Sequence, residues 1–70
     1  MADISKDIAM LNSASTGKDA RPIVTSVITD LGSSIPDDVT TKINTLLHYV
    51  GDMHDTILEL CYLITNAYSS

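Results

Sequence analysis

The stretch that organises this chain is VTTKINTLLHYVGDMHDTILELCYLITNA, residues 39–67 of a sequence of 70. Its apolar residues recur at alternating steps of four and three residues, which is the heptad spacing of a coiled-coil seam. This spacing predicts one long α-helix with a continuous apolar seam. The seam consists of Val39, Ile43, Leu46, Val50, Met53, Ile57, Leu60, Ile64 and Ala67.

The positions beside the seam are mostly apolar or neutral, whereas a two-stranded coiled coil usually places charged pairs there. A wide apolar face needs more than one neighbouring helix. We therefore expect packing against the chain's own N-terminal helices together with self-association, in which a trimer or higher oligomer is favoured over a dimer. A monomeric helical hairpin is the alternative. The flanking interface residues are Leu47, Tyr49, His54, Cys61, Leu63 and Tyr68.

Gly51 is the position at which the long helix is weakest. A glycine inside a helix costs about 1 kcal/mol relative to alanine, and Gly51-Asp52 also has the pattern of a helix stop followed by a new N-cap. The heptad phase nevertheless passes from Val50 to Met53 without a slip. We expect one continuous helix, with a bend or a break at Gly51 as the alternative.

The N-terminal half predicts two short helices. Apolar residues recur at helical spacing from Ile4 to Leu11, and a small polar linker covers residues 12–17. Asp19 is a suitable N-cap for the second helix, which is expected to end at Gly32 because glycine is common just past a helix C-terminus.

The length limits the chain to one small helical domain, residues 1–70, with the short helices and linkers in 1–34 and the long helix in 35–68. A strand over the β-branched residues 23–28 is the competing interpretation of that segment. The predicted fold class is all-α, a helical hairpin or bundle. We expect it to be oligomeric, because the core of so short a chain is marginal.

The charge disfavours two classes of partner. Nine acidic residues against four basic ones give a net charge of -5, whereas nucleic acids and anionic membrane surfaces attract clustered Lys and Arg. We expect neither as a partner. The N-terminus lacks the apolar segment of a signal peptide. Cys61, on an apolar stretch, is expected to be a buried small side chain in a reducing cytoplasm.

The sequence offers no catalytic motif, so we expect a protein that is not an enzyme and holds no cofactor or metal. His48 and Asp52 have the spacing of a helical metal chelate, but two ligands of mixed type do not specify a site. A solvated helix surface is the preferred interpretation. Gly17-Lys18 lacks the upstream glycine and the following Ser or Thr of a phosphate-binding loop. His54, beside the seam, is expected to be a partly buried hydrogen-bonding residue.

Residues 8–28, IAMLNSASTGKDARPIVTSVI, resemble a recurrent N-terminal motif in tail, baseplate and tail-fibre proteins of phages that infect Gram-positive bacteria. In those proteins a short helix and a small-residue linker precede Gly-Lys-Asp/Glu-Val/Ala-Arg and an Ile/Val-rich helix. The chain departs from the pattern at Thr16, where an aromatic residue is usual, and at Pro22, where a helix former is usual. The matching positions are Ala14, Gly17, Lys18, Asp19, Ala20, Arg21, Ile23 and Ile28.

This resemblance implies a structural role in a phage or prophage tail or baseplate, located in the virion or the host cytoplasm. The implied partners are further copies of the chain and other virion or host proteins. The candidate attachment residues are Gly17, Lys18, Asp19 and Arg21, for which a local salt bridge or helix cap is the alternative role. The alternative function is a small acidic adaptor or inhibitor that binds a host or partner protein through a helix.

Overall fold

The computed structural model describes residues 4–68, and these form four α-helices and a short 3-10 helix. The predicted all-helical class is confirmed for this part of the chain, and the competing strand at residues 23–28 is replaced by helix. The elements are α1 (Ser5–Ser13), α2 (Gly17–Leu31), the 3-10 helix (Gly32–Ser34), α3 (Asp37–Val50) and α4 (His54–Tyr68).

The prediction of one continuous C-terminal helix is wrong, because the chain turns at Gly51. Helix α3 ends at Val50, and Gly51 has φ 56° and ψ -122°, a backbone conformation that side chains with a Cβ atom rarely adopt. The backbone N–H of Met53 donates to the Val50 carbonyl at 3.1 Å across the turn. The break at Gly51 was the alternative that the glycine itself suggested.

The heptad spacing of the apolar residues continues across the turn because of the length of the turn. Residues 51–53 separate the two helices, and this length is close to the roughly 3.6 residues of one helical turn. The apolar positions of α3 and α4 therefore stay in register along the sequence although the helix is interrupted. An unbroken phase consequently does not distinguish one helix from two helices joined by such a turn.

The predicted N-cap at Asp19 is wrong, because helix α2 begins at Gly17, three residues earlier than a cap at Asp19 would place it. Its N-cap is Thr16, whose Oγ1 accepts a hydrogen bond from the Asp19 backbone N–H at 3.1 Å. Pro22 consequently lies inside the helix, after its first turn. The helix ends as predicted at Gly32, which has φ 53° and donates its N–H to the Ile28 carbonyl.

The core is aliphatic, and α2 is central to it. Helix α2 packs against α1 and α4, and α3 packs against α4. Each helix contributes one apolar face, so the faces identified from residue spacing are used within the chain. The buried apolar residues are Leu11, Ala20, Ile23, Val24, Val27, Leu31, Ile35, Ile43, Leu47, Ile57, Cys61 and Ile64.

Candidate functional site

The structure divides the predicted seam into an interior set and an exposed set. Leu46 is 48% exposed, Met53 is 59% exposed, and Ala67 is also exposed. The remaining seam residues are buried or half-buried in the chain's own core, so a single copy already uses most of the seam. This interior set is Val39, Ile43, Val50, Ile57, Leu60 and Ile64.

The flanking residues divide in the same way. Leu47 and Cys61 are buried, and His54 and Tyr68 are half-buried. Tyr49 and Leu63 stand out into solvent, with 79% and 63% of their surface exposed. The groups that remain available to a partner are therefore concentrated on α3, just after it, and on one side of α4.

Cys61 behaves as the buried small side chain that the sequence predicts. Burial raises the pKa of its thiol to about 11, and the nearby negative charge of Asp7 acts in the same direction. Asp7 itself lies on α1 and is buried. The thiol is consequently protonated at neutral pH and is a weak nucleophile, because the thiolate is the reactive form.

The exposed side of α3 forms a shallow apolar groove of about 330 Å³. Leu46 and Tyr49 supply its apolar surface, and the ring of His48 contacts the ring of Tyr49 edge-on with the centroids 5.9 Å apart. We call this surface the α3 face, and define it by the residues that line the groove. They are Thr41, Lys42, Thr45, Leu46 and Tyr49.

A second feature is the junction between α3 and α4, which Arg21 on α2 holds in place. Nη1 of Arg21 donates to the Leu47 carbonyl at 2.6 Å and to the Gly51 carbonyl at 2.7 Å. These carbonyls lie at the C-terminal end of α3, where the last carbonyl groups of a helix have no donor within the helix. A guanidinium suits this position because it carries positive charge to the negative end of the helix dipole.

Gly17 also contacts the junction. A Cβ atom at this position would lie 2.0 Å from the Asp52 carbonyl oxygen, so the backbones of α2 and the turn approach as closely as glycine allows. Gly17 and Arg21, two of the four candidate attachment residues, thus have contacts inside the fold. The side chains of Lys18 and Asp19 are exposed.

The start and the middle of α4 are joined to the end of α1 by side chains. His54 Nε2 lies 2.8 Å from the Ala14 carbonyl, which can only accept, so Nε2 carries the hydrogen. The hydroxyl of Tyr62 donates to Oδ1 of Asn12. The partial burial and hydrogen bonding expected of His54 are confirmed, whereas its partner has no local signal because it lies 40 residues away.

The described residues 4–68 contain no group of three or more His, Cys, Asp and Glu that could hold a metal ion. Asp52 lies outside α3, because the helix ends at Val50, so His48 and Asp52 do not share a helical face. Among the helices described, none combines the length and the apolar character needed to cross a membrane.

Comparisons with protein-family models, with curated proteins and with solved structures give no match to this chain. The features of this chain that bear on its function are therefore the α3 face, the α3–α4 junction and the motif in residues 8–28.

Proposed function

We propose that this chain is a non-enzymatic structural protein of a phage or prophage tail or baseplate, which self-associates through the α3 face. The observation that carries the proposal is the exposure of Leu46 and Tyr49, at 48% and 79%, on one side of a helix. Apolar surface rimmed by polar side chains is typical of protein interaction sites. Tyrosine is enriched in such sites because it offers a large contact area with few rotatable bonds.

The charges around the α3 face favour a second copy of the chain as its partner. The chain carries a net charge of -5, but the α3 face itself contains no acid. The acids lie at its two ends, with Asp37 and Asp38 in the first turn of α3 and Asp52 after its end. Two copies that meet at the centre of the face therefore bury no acid near the axis, and the acids stay at the exposed ends of the contact.

An antiparallel arrangement of two α3 helices suits this surface. We place the two-fold axis at Leu46. Lys42 lies four residues before Leu46 and Tyr49 lies three residues after it, so Lys42 of one copy comes nearly level with Tyr49 of the second copy. An ammonium group over a tyrosine ring is attractive, by about 0.5–1 kcal/mol at exposed sites. Such an interface is self-complementary and closes at two copies. The sequence favours a trimer or higher oligomer, so the limiting mass distinguishes the two arrangements.

The assignment to a phage tail or baseplate rests on the resemblance of residues 8–28. Gly17 and Arg21 contact the α3–α4 junction, which leaves the exposed Lys18 and Asp19 as the motif residues that would contact other virion proteins. This attachment surface lies on α2 and shares no residue with the α3 face, so the chain would bind the tail and a second copy through different side chains.

Sedimentation equilibrium over a range of concentrations tests self-association. We expect the mass of the wild type to increase above 7.5 kDa as the protein concentration increases. The mass of Leu46→Asp should remain at 7.5 kDa. Met10→Asp is the matched control, because Met10 on α1 is 49% exposed, almost the same as Leu46. It adds the same charge and should associate as the wild type does. A wild-type mass of 7.5 kDa at every concentration would refute the proposal.

The net charge and the exposed acids near α4 favour one alternative, an acidic adaptor or inhibitor of another protein. Asp52, Asp55 and Glu59 are all exposed, and they would face basic groups of the partner. This alternative predicts a monomer whose mass does not change with concentration, so the same sedimentation experiment separates the two functions.

A further inference from the structure

We infer that the closed turn at Gly51 holds this chain back from a second mode of association, in which two copies exchange α4 so that α4 of one copy packs on α2 of the other. The chain opens at Gly51, and α3 and α4 join into one helix spanning residues 37–68. The surface used is the face of α2 that α4 covers in a single copy. The inference rests on the proposed self-association and adds a second interface to it, in which each core is completed by the partner copy.

The apolar pattern is compatible with both the closed and the open arrangement. Because the turn preserves the heptad phase, joining α3 and α4 places Ile57, Cys61 and Ile64 on the same stripe as Ile43 and Leu47. All five residues are buried in the closed chain. A stripe that stays continuous through the open helix presents α4 to a second copy without exposing a new set of side chains.

The two backbone carbonyls at the junction also have hydrogen-bond donors in both arrangements. In a continuous α-helix the Leu47 carbonyl accepts from the N–H of residue 51, and the Gly51 carbonyl accepts from the N–H of residue 55. In the closed chain both carbonyls accept from Arg21 instead, at 2.6 and 2.7 Å. Opening replaces the bonds to Arg21 with helical ones, so the two carbonyls do not lose their partners.

The exchange conserves the core as well. Helix α2 packs against α4 in the closed chain, and an exchanged pair of copies makes the same contacts between chains. Exchange of an identical element is a low-cost route to a dimer for this reason, and short connections between the elements favour it. The connection here is residues 51–53.

Gly51 determines the balance between the two arrangements. Its φ of 56° belongs to the closed turn and is costly for any residue with a Cβ atom. Beyond its two chain neighbours, an added Cβ would meet no atom within 4 Å. Gly51→Ala therefore acts on the local backbone conformation without a tertiary clash, and it disfavours the turn while favouring the continuous helix.

The chain provides a matched control at Gly32. This glycine has nearly the same conformation, with φ 53° and ψ -126° against 56° and -122° for Gly51, and an added Cβ there also meets nothing within 4 Å. Gly32→Ala imposes the same strain at the end of α2. Pro36 prevents α2 and α3 from joining into one helix, because proline removes a helical donor and disfavours the helical conformation before it.

The experiment compares Gly51→Ala and Gly32→Ala by sedimentation, each combined with Leu46→Asp to remove the α3 face. We expect twice the single-chain mass of 7.5 kDa for the first combination and 7.5 kDa for the second. In samples mixed from isotope-labelled and unlabelled chains, the first should also give NOEs between α2 and α4 of different copies.

Three outcomes would overturn the inference. One is a single-chain mass for Gly51→Ala with Leu46→Asp, and another is a doubled mass with α2–α4 NOEs within one chain only. The third is a doubled mass for Gly32→Ala with Leu46→Asp as well. That result would mean that the copies associate because the fold is destabilised, and not because the Gly51 turn opens. Self-association of the wild type through Leu46 is measured separately, so a failure of the α3 face and a failure of the exchange give different results.

Discussion

The chain contains two glycine turns of nearly identical backbone conformation, one at Gly32 and one at Gly51. The turn at Gly32 is local: its N–H donates to Ile28, and its carbonyl accepts from Ile35 at 3.2 Å. The turn at Gly51 is contacted by residues distant in sequence, since Arg21 binds its carbonyl from 30 residues away. The same local geometry is thus specified by nearby sequence in one case and supported by tertiary contacts in the other.

Among substitutions that separate the Gly51 turn from the Gly32 turn, Gly17→Ala is expected to have the largest effect on stability. The new Cβ would lie 2.0 Å from the Asp52 carbonyl oxygen, which is backbone and cannot rotate away, so α2 and the turn must separate. We expect a loss of about 3 kcal/mol in the free energy of unfolding, at the upper end for overpacking. Urea denaturation measures it.

Lys18→Ala is the control for Gly17→Ala, because its side chain is exposed in the same turn of α2. It should leave the unfolding midpoint nearly unchanged. If Gly17→Ala were as stable as the wild type, the close approach of the two backbones would not contribute to the Gly51 turn.

Arg21→Ala should have the next largest effect. It removes the donor to the Leu47 and Gly51 carbonyls, and hydrogen bonds from charged groups contribute about 1.5–3 kcal/mol. Because Arg21 is half-buried and water can replace part of the interaction, we expect a loss of about 2 kcal/mol in urea denaturation.

Arg21→Lys separates charge from geometry in this prediction. Lysine keeps the positive charge at the end of α3 but lacks the planar guanidinium, so an intermediate stability is expected. Backbone NMR shifts should change in residues 47–53 and remain as in the wild type around Gly32. Equal changes at both turns would show that Arg21 does not act specifically on the Gly51 junction.

The sequence identifies the helical faces and the local turn, because both depend on nearby residues. Gly32 is recognisable as a helix end since Ser33, Ser34 and Pro36 follow it and the apolar spacing stops there. Gly51 also has the pattern of a helix stop, but a turn of three residues leaves the heptad phase intact, and the phase favours one continuous helix. Sequence spacing alone therefore overestimates the length of the last helix.

The candidate site is only partly predictable for a similar reason. Heptad spacing places Leu46 and Ile43 in one seam, yet one is 48% exposed and the other is buried. Spacing shows that residues share a broad face, but which edge of that face is covered depends on where α2 and α4 lie. The contact between Gly17 and Asp52 likewise follows from tertiary packing, and no local pattern indicates it.

A similar or smaller effect is expected when the two glycines are compared directly in dilute solution, where exchange between copies is suppressed by mass action. Gly32→Ala and Gly51→Ala should each lower the free energy of unfolding by about 1–3 kcal/mol, the cost of holding a residue with a Cβ atom in a sparsely populated backbone conformation. Urea denaturation at low protein concentration measures both. A much larger loss at Gly51 would mean that its turn is under strain absent at Gly32.

The smallest effect is expected from Tyr62→Phe, which tests how α4 is positioned after the Gly51 turn. The substitution removes the hydroxyl that donates to Asn12 on α1 and leaves the ring in place. Because Tyr62 is partly exposed, at 36%, water replaces much of the bond and the expected loss is about 0.5 kcal/mol. Tyr49→Phe is the control, because Tyr49 is 79% exposed and should lose nothing. If both variants match the wild type in urea, the bond between Tyr62 and Asn12 does not stabilise the closed position of α4.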